Sequence, residues 1–264
     1  MCTALSQTIW RDRTASQGGW RTMSELHPRK VASHVITSRA LGGEERALKV
    51  FVPPVAEGHG PLPVVYCHDG IEFFTHGRTA TIAHQLMSQG QLPPFYIVGI
   101  AVNLDKRRDD YAMDGKRHRQ YLQFVAEECI PYLDAMYPMD DHARYMAGIS
   151  LGAVATLSFV LTYPQWFHRT ILFSGAYFPE YQRRIEQEPD LSRLAAYMFI
   201  GDEEAQAQTP SGVYDFLSYN QSMRDLLIDR GADITYRVGP GNHIWGVWQK
   251  QIPDALIWLA NRDR

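Results

Sequence analysis

The chain has 264 residues, of which 45% are hydrophobic and 21% charged, and its formal net charge is −3. These values are typical of one large globular domain, and the small negative charge gives no electrostatic basis for nucleic acid as a partner. No apolar run reaches the ~18 residues of a membrane span, and the N-terminus lacks the apolar core of a secretory signal. Three cysteines without metal-like spacing favour reduced thiols and a cytoplasmic location (Cys2, Cys67 and Cys129).

After a polar N-terminal arm (1–28), the chain alternates between segments typical of strands and of helices. The strands are predicted in KVASHVITSRAL, RALKVFVPP, VVYCHDG, FYIVGIAV, ARYMAGI, RTILFSG, AAYMFIG and ITYRVG, the first two joined at Gly42-Gly43 as a hairpin. Helices are predicted over about 72–90, 117–137, 150–164, 179–194 and 218–230, and from about 244 onward. The alternation predicts an α/β fold with a mainly parallel sheet, an antiparallel N-terminal edge and helices on both faces, in one domain (29–264).

A serine stands at a predicted strand-to-helix turn, in the sequence GISLG at residues 148–152. This G-x-S-x-G spacing allows a sharp turn that lifts the hydroxyl of Ser150 above the edge of the sheet. The same turn directs the N–H group of Leu151, at a helix N-terminus, toward an oxyanion that develops on the substrate. The motif therefore indicates a nucleophilic serine, which needs a base within hydrogen-bonding reach.

Chain order selects the base. In the α/β-hydrolase arrangement the acid and then the histidine follow the serine, and the histidines after Ser150 are His168 and His243. His168 opens a strand, and no candidate acid lies between Ser150 and His168. His243 follows the last strand in a glycine- and proline-rich loop, so it is the predicted base.

The acid is expected just beyond a strand, between the serine and the histidine. Asp202, Glu203 and Glu204 follow AAYMFIG directly, and Asp215 lies further downstream. The acid must fix the tautomer of the imidazole while staying ionised, so only one carboxylate can face His243. The other two are expected to be solvated, because burial of three charges would be costly.

The second oxyanion donor is expected in the loop after VVYC, where His68 and Asp69 precede Gly70 and Ile71. A glycine there lets the backbone approach a substrate closely. The candidate donors are therefore the backbone N–H groups of Ile71 or Gly70, together with that of Leu151.

Two further segments have competing interpretations. Residues 105–119 carry six basic and four acidic side chains, which favours a solvated loop with weak internal ion pairs. Arg107 or Arg108 is the alternative there, as the partner of an anionic substrate group. In the last helix, Pro253 is expected to cause a kink or a restart. An apolar stripe in that helix predicts a core-facing surface rather than an aromatic substrate cage (Trp245, Trp248, Ile252, Leu256 and Leu259).

Four stretches in this order resemble the esterase branch of the α/β hydrolases: YCHDGIEFF, GISLGAVATLSFVLTYPQWF, FIGDEE and GNHIWGVWQKQIPDALIWL. That branch includes enterochelin esterases, feruloyl esterases, S-formylglutathione hydrolases and mycolyltransferases. The resemblance implies that Ser150 is the nucleophile and that His243 is the histidine of a G-x-H-x-x-x-x-W pattern ending at Trp248. It also implies Glu204, three residues after a glycine, as the acid and Ile71 as an oxyanion donor.

The expected protein is a serine carboxylesterase that hydrolyses small or short-acyl esters without a cofactor or metal. The alternatives are a siderophore trilactone esterase, an acyltransferase that uses the same acyl-enzyme, and a non-catalytic binding module. Some relatives work with a Ser–His dyad, in which case the acid contributes little.

Overall fold

The computed structural model describes residues 29–55 and 58–261, so the predicted N-terminal arm (1–28) lies outside it. The strands of the described chain are β1 (Lys30–Ser38), β2 (Glu44–Val52), β3 (Leu62–Cys67), β4 (Tyr96–Ile100), β5 (Met139–Ile149), β6 (Arg169–Phe173), β7 (Ala195–Gly201), β8 (Ala207–Thr209), β9 (Gly212–Tyr214) and β10 (Asp233–Gly239). Eight strands form one sheet in the order β1-β2-β4-β3-β5-β6-β7-β10, and β8 pairs with β9 alone. β2 is antiparallel to β1 and to β4, and the other neighbours are parallel. The predicted α/β-hydrolase sheet with an antiparallel N-terminal edge is confirmed.

The helices of the described chain are α1 (Gly70–Thr75), α2 (Thr79–Ser88), α3 (Arg107–Tyr111), α4 (His118–Gln123), α5 (Ile130–Asp134), α6 (Leu151–Thr162), α7 (Pro179–Glu186), α8 (Phe216–Asp229) and α9 (Trp245–Asn261). A π-helical segment, Phe124–Cys129, joins α4 to α5. The one helix predicted over 72–90 is two helices, because Arg78 adopts a left-handed backbone with φ of 51° between them. Among the described residues, no helix has the length and apolar character needed to cross a membrane.

Both faces of the sheet are buried, as the apolar strands predict. In β3, Val64 and Tyr66 pack into the core on one face, whereas Val65 and Cys67 pack into the core on the other. Successive side chains of a strand point to opposite faces, so a strand that is apolar at every position needs helices on both sides. Because β3, β5, β6 and β7 are parallel, their carboxyl ends lie at one edge of the sheet.

The last helix continues through its proline. α9 runs from Trp245 to Asn261 with Pro253 inside it, so of the two predicted outcomes, a kink or a restart, the restart is wrong. Its stripe is buried on both sides of the proline, at Trp248 and Ile252 before it and at Leu256 and Leu259 after it. We infer that this shared packing holds the two halves on one face of the sheet despite the backbone hydrogen bond that proline cannot donate.

The charged segment after β4 is folded, so its interpretation as a solvated loop is wrong. Its acid Asp110 is fully buried in α3 and forms an ion pair with the buried Arg46 of β2. Glu44 joins the same network and pairs with Lys106 and Arg117. Partial burial raises the pKa of Glu44. The cations Lys106, Arg117 and Arg46 lower it by a larger amount, so the net pKa is about 2. The network fixes the segment beside β2 and holds α3 close to the carboxyl edge of the sheet.

Candidate active site

The serine of the G-x-S-x-G motif lies in a strained turn between β5 and α6. Ser150 has φ of 58° and ψ of −121°, a conformation that costs a non-glycine residue about 1–3 kcal/mol and persists where its surroundings enforce it. A Cβ atom on Gly148 would lie 2.1 Å from the carbonyl oxygen of Gly152. The backbone N–H of Ser150 donates to Phe173 at the end of β6, at 3.0 Å. The motif thus holds the hydroxyl in a fixed position at the edge of the sheet.

His243 and Glu204 meet beside this turn, 39 positions apart in the sequence. His243 Nδ1 lies 2.7 Å from Glu204 Oε2. The Glu204 side chain is fully buried, and the His243 side chain is 10% exposed. A neutral imidazole that donates from Nδ1 leaves Nε2 free to accept a proton.

The neighbouring acids have other roles. Asp202 is exposed and accepts a hydrogen bond from the backbone N–H of Gly241, at 3.0 Å, which fastens the loop before His243. Glu203 is exposed. Asp215 accepts from the backbone N–H of Ser218 at 2.9 Å and caps the N-terminus of α8. Of the four candidate acids, the one that contacts the imidazole is therefore Glu204.

Three groups that the sequence did not single out complete the surroundings of Glu204 and His243. Ser174 and the backbone N–H of Gly201 both donate to Glu204 Oε1, at 2.6 and 3.0 Å. The ring centroid of Phe216 lies 4.7 Å from that of His243. Ser174 directly follows β6, so its place after a strand was a usable signal. It was missed because a serine outside a motif carries no distinctive pattern.

Two tryptophans of α9 line the cavity at Ser150, contrary to the expectation of a purely core-facing stripe. Trp248 is buried and packs edge-on against His243, with ring centroids 4.9 Å apart. Trp245 is half-buried and packs edge-on against Trp248. α9 begins two residues after the histidine, so its first turn borders the site as well as the core, whereas its later turns face the core.

The loop after β3 leads into α1, which begins at Gly70. The first N–H groups of a helix have no partner within it, so those of Gly70 and Ile71 are free of intrahelical bonds. A Cβ atom on Gly70 would lie 2.1 Å from the carbonyl carbon of Gly99 in β4. The glycine is therefore required by packing of α1 against the sheet, and its predicted approach to a substrate stays a prediction.

Arg107 connects this loop to the serine turn. Its Nε and Nη2 atoms donate to Asp69 Oδ1 and Oδ2, at 2.8 and 2.7 Å, and Nη2 also lies 3.4 Å from the carbonyl oxygen of Ile149. The backbone N–H of Asp69 donates to the hydroxyl of Tyr111 at 2.9 Å. Burial lowers the pKa of Arg107, but the Asp69 carboxylate raises it by a larger amount, so the net pKa is above the ordinary value. Arg108 has its own partner, the exposed Asp114.

A buried histidine lies behind the same loop. His68 is fully buried, and its Nδ1 lies 2.7 Å from the hydroxyl of Tyr121. Burial lowers the pKa of His68 to about 3, and the charges of His118 and Arg107 act in the same direction. The ring is therefore neutral at physiological pH and serves as packing rather than as a base.

An open cavity of about 530 Å³ lies above Ser150. Its lining combines the polar side chains of Asp69, Glu72, Arg107 and Arg108 with several aromatic ones. The aromatic side chains are Phe178, Tyr214, Phe216, Trp245 and Trp248. Within the described residues, no group of three or more His, Cys, Asp or Glu side chains is placed to hold a metal ion. The arrangement offers a nucleophile, a base with its acid, and helix N-termini in one cavity, which suits acyl transfer.

Comparison with known proteins agrees with this chemistry. The family model described as "putative esterase" matches residues 38–259. The uncharacterized protein YjcH of Bacillus subtilis (strain 168) is 30% identical over 220 residues, which are 81% of this chain and 90% of YjcH.

Solved structures of two esterases share the fold. A ferulic acid esterase superposes with a TM-score of 0.73 at 19% identity, over 88% of this chain and 98% of that esterase. The enterobactin esterase FES of Shigella flexneri superposes with a TM-score of 0.75 at 19% identity, over 93% of this chain and 64% of FES. The family match covers most of the sequence and includes every residue of the site described above. The chain therefore belongs to the "putative esterase" family of α/β hydrolases and is a carboxylic ester hydrolase.

Proposed function

We propose that this hydrolase cleaves small or short-acyl esters through a Ser150–His243–Glu204 triad and an acyl-enzyme. The observation that carries the proposal is the 2.7 Å contact between His243 Nδ1 and Glu204 Oε2, made in the cavity that Ser150 lines. Chain order supports the same roles, because the acid and the histidine follow the serine in α/β hydrolases.

In the first half-reaction, Ser150 Oγ attacks the ester carbonyl while its proton passes to His243 Nε2. The imidazolium that forms is stabilised by Glu204, which remains ionised. His243 then delivers the proton to the leaving alcohol, and the acyl group stays on Ser150. In the second half-reaction, His243 takes a proton from water and the hydroxide attacks the acyl-enzyme. The imidazolium then returns that proton to Ser150 Oγ, and the carboxylic acid is released.

The negative charge on the carbonyl oxygen needs donors at two sides. We assign them to the backbone N–H of Leu151, at the N-terminus of α6, and to that of Ile71, with Gly70 as the neighbouring alternative. Removal of one such donor in a serine hydrolase costs about 10²- to 10³-fold in kcat. The Arg107–Asp69 pair supports this assignment, since it joins the loop before α1 to the residue before Ser150.

A second candidate substrate is an ester with an aromatic acyl group, including a siderophore trilactone. The observation that favours it is the aromatic part of the cavity lining, where Phe178, Tyr214 and Phe216 lie together. Stacking against such rings adds about 0.5–1.5 kcal/mol beyond the area that is buried. The two described cysteines, Cys67 and Cys129, are free and buried, and we propose the cytoplasm as the compartment.

The test is a panel of p-nitrophenyl acetate and butyrate, a feruloyl ester and a siderophore trilactone, assayed with wild type and Ser150→Ala. We expect the short-acyl esters to be hydrolysed by wild type and their hydrolysis to be abolished by the substitution. Equal rates for the two proteins would contradict the mechanism. Assays with added alcohol acceptors distinguish hydrolysis from acyl transfer, because a transferase yields the new ester in place of the free acid.

A further inference from the structure

Ser174 has a backbone conformation that serines rarely adopt. It follows β6 directly, is fully buried, and has φ of 43°. Its backbone N–H donates to the carbonyl oxygen of Phe199 in β7 at 2.7 Å. Left-handed conformations at non-glycine residues persist where the surrounding structure enforces them, and they concentrate at functional sites.

The surrounding structure fixes this turn from two directions. The side chain of Asn220 in α8 accepts from the backbone N–H of Gly175 at 3.0 Å and donates to its carbonyl oxygen at 2.8 Å. On the other side, a Cβ atom on Gly175 would lie 2.2 Å from the ring of Tyr177. The residue after Ser174 is therefore held by both of its backbone polar groups.

The hydroxyl of Ser174 links two side chains of the site. Trp248 Nε1 donates to Ser174 Oγ at 2.8 Å, and Ser174 Oγ donates to Glu204 Oε1 at 2.6 Å. An indole nitrogen is only a donor, so the single proton of the hydroxyl is left for the carboxylate. The direction of this chain is therefore fixed, and it ends on the oxygen of Glu204 that does not face His243.

We propose that Ser174 is a positioning residue for ester hydrolysis, which holds the Glu204 carboxylate so that Oε2 meets His243 Nδ1. The inference rests on the proposed triad and extends it by a residue that does not touch the substrate. With Oε1 bound by Ser174 and by the backbone N–H of Gly201, rotation of the carboxylate away from His243 breaks two hydrogen bonds. The imidazole then keeps the tautomer that leaves Nε2 as the base.

The test is a double-mutant cycle on p-nitrophenyl acetate hydrolysis, with Ser174→Ala, Glu204→Ala and the double variant. Ser174→Ala is expected to lower kcat about 10- to 100-fold with KM unchanged, the size of effect that a small misplacement of a catalytic group produces. In the Glu204→Ala background the same substitution is expected to cost nothing more, because its target is absent. A purely structural role predicts losses that multiply.

Two variants separate the hydroxyl from the backbone strain. Ser174→Gly lacks the hydroxyl but adopts φ of 43° without strain, because glycine has no Cβ. We expect it to lose as much kcat as Ser174→Ala, even if its melting temperature is higher than that of Ser174→Ala. Ser158→Ala removes another buried hydroxyl, which bonds within α6, and is expected to retain wild-type kcat. Full activity of Ser174→Gly, or multiplicative losses in the cycle, would overturn the inference. Full activity of Glu204→Ala would instead overturn the triad itself and the inference with it.

Discussion

Two buried polar networks flank Ser150, and they hold their carboxylates in different ways. On the acid side, Glu204 accepts hydrogen bonds from Ser174 and Gly201, and its Oε2 atom lies beside the His243 ring. On the oxyanion side, Asp69 is bound by both nitrogen donors of the Arg107 fork. One carboxylate is held mainly by neutral donors, and the other by a permanent cation.

This difference supports the proposal that Glu204, and not Asp69, takes part in catalysis. A carboxylate that stabilises an imidazolium must keep its charge available at the moment the proton moves. The charge of Asp69 is already balanced by a guanidinium, so its pair fixes geometry. The charge of Glu204 is solvated by O–H and N–H groups, and a full positive charge appears beside it only when His243 is protonated. The hydrogen-bond partners of a buried carboxylate are therefore a better guide to its catalytic role than its burial is.

The largest expected effect tests the acid side. Glu204→Gln is expected to lower kcat by about 10³- to 10⁴-fold, because the amide no longer stabilises the imidazolium or fixes its tautomer. Steady-state hydrolysis of p-nitrophenyl acetate measures the effect. Asp202→Asn and Glu203→Gln serve as matched controls with losses of a few-fold at most. The Asn side chain keeps the oxygen that accepts from Gly241. Mild effects in all three variants would mean that Ser150 and His243 act as a dyad.

An intermediate effect tests the oxyanion side. Arg107→Gln is expected to lower kcat about 10²-fold with KM nearly unchanged, because the loop that carries Ile71 loses its link to the serine turn. Arg107→Lys is expected to restore little, since an ammonium group cannot form the two-pronged contact with Asp69. The comparison uses one neutral and one anionic ester, and we expect the same loss on both.

Arg108→Gln is the control for this experiment. Its ion pair with Asp114 is exposed, and exposed pairs contribute about 0.2–1 kcal/mol, so kcat on the neutral ester is expected to change little. If one substitution raises KM for the anionic ester alone, the arginine that it replaces binds the anionic group of the substrate. That outcome at Arg107 would contradict a role in fixing the loop.

Local patterns predicted the parts of the site that depend on local geometry. The turn at Ser150 is specified by the two glycines beside it, and His243 and Glu204 follow from chain order along a parallel sheet. The contact of Ser174 with Glu204 joins residues 30 positions apart, and that of Arg107 with Asp69 joins residues 38 apart. Such pairs depend on the placement of separate elements, which no spacing in the sequence encodes.

Contacts between separate elements also explain why two predictions about the fold were wrong. Residues 105–119 have the composition of a solvated loop, but Arg46 and Glu44 of β2 supply partners that bury part of its charge. Pro253 is a local signal for a helix break, but packing on both sides of it keeps α9 continuous. In each case tertiary contacts outweighed a local conformational preference of the sequence.

The smallest expected effect concerns how protonation of His68, behind the loop before α1, changes stability with pH. His68 is packed against Tyr111, Tyr121 and Phe159, and its pKa of about 3 lies below the ordinary 6.5. Between these two values the unfolded chain binds a proton that the folded chain does not, so His68 makes the folded state less stable as the pH falls from 6.5 toward 3. For one proton the slope is at most about 1.4 kcal/mol per pH unit.

Urea unfolding followed by circular dichroism between pH 6.5 and 4.5 measures this slope. His68→Asn keeps a polar atom for the Tyr121 hydroxyl but does not titrate, so its free energy of unfolding is expected to fall less steeply than that of wild type. His142→Gln, at a side chain that is 93% exposed, is expected to keep the wild-type slope. Parallel curves for wild type and His68→Asn would mean that His68 accepts a proton in the folded state. Burial would then fail to keep the ring neutral, and the loop before α1 would have to admit water at acid pH.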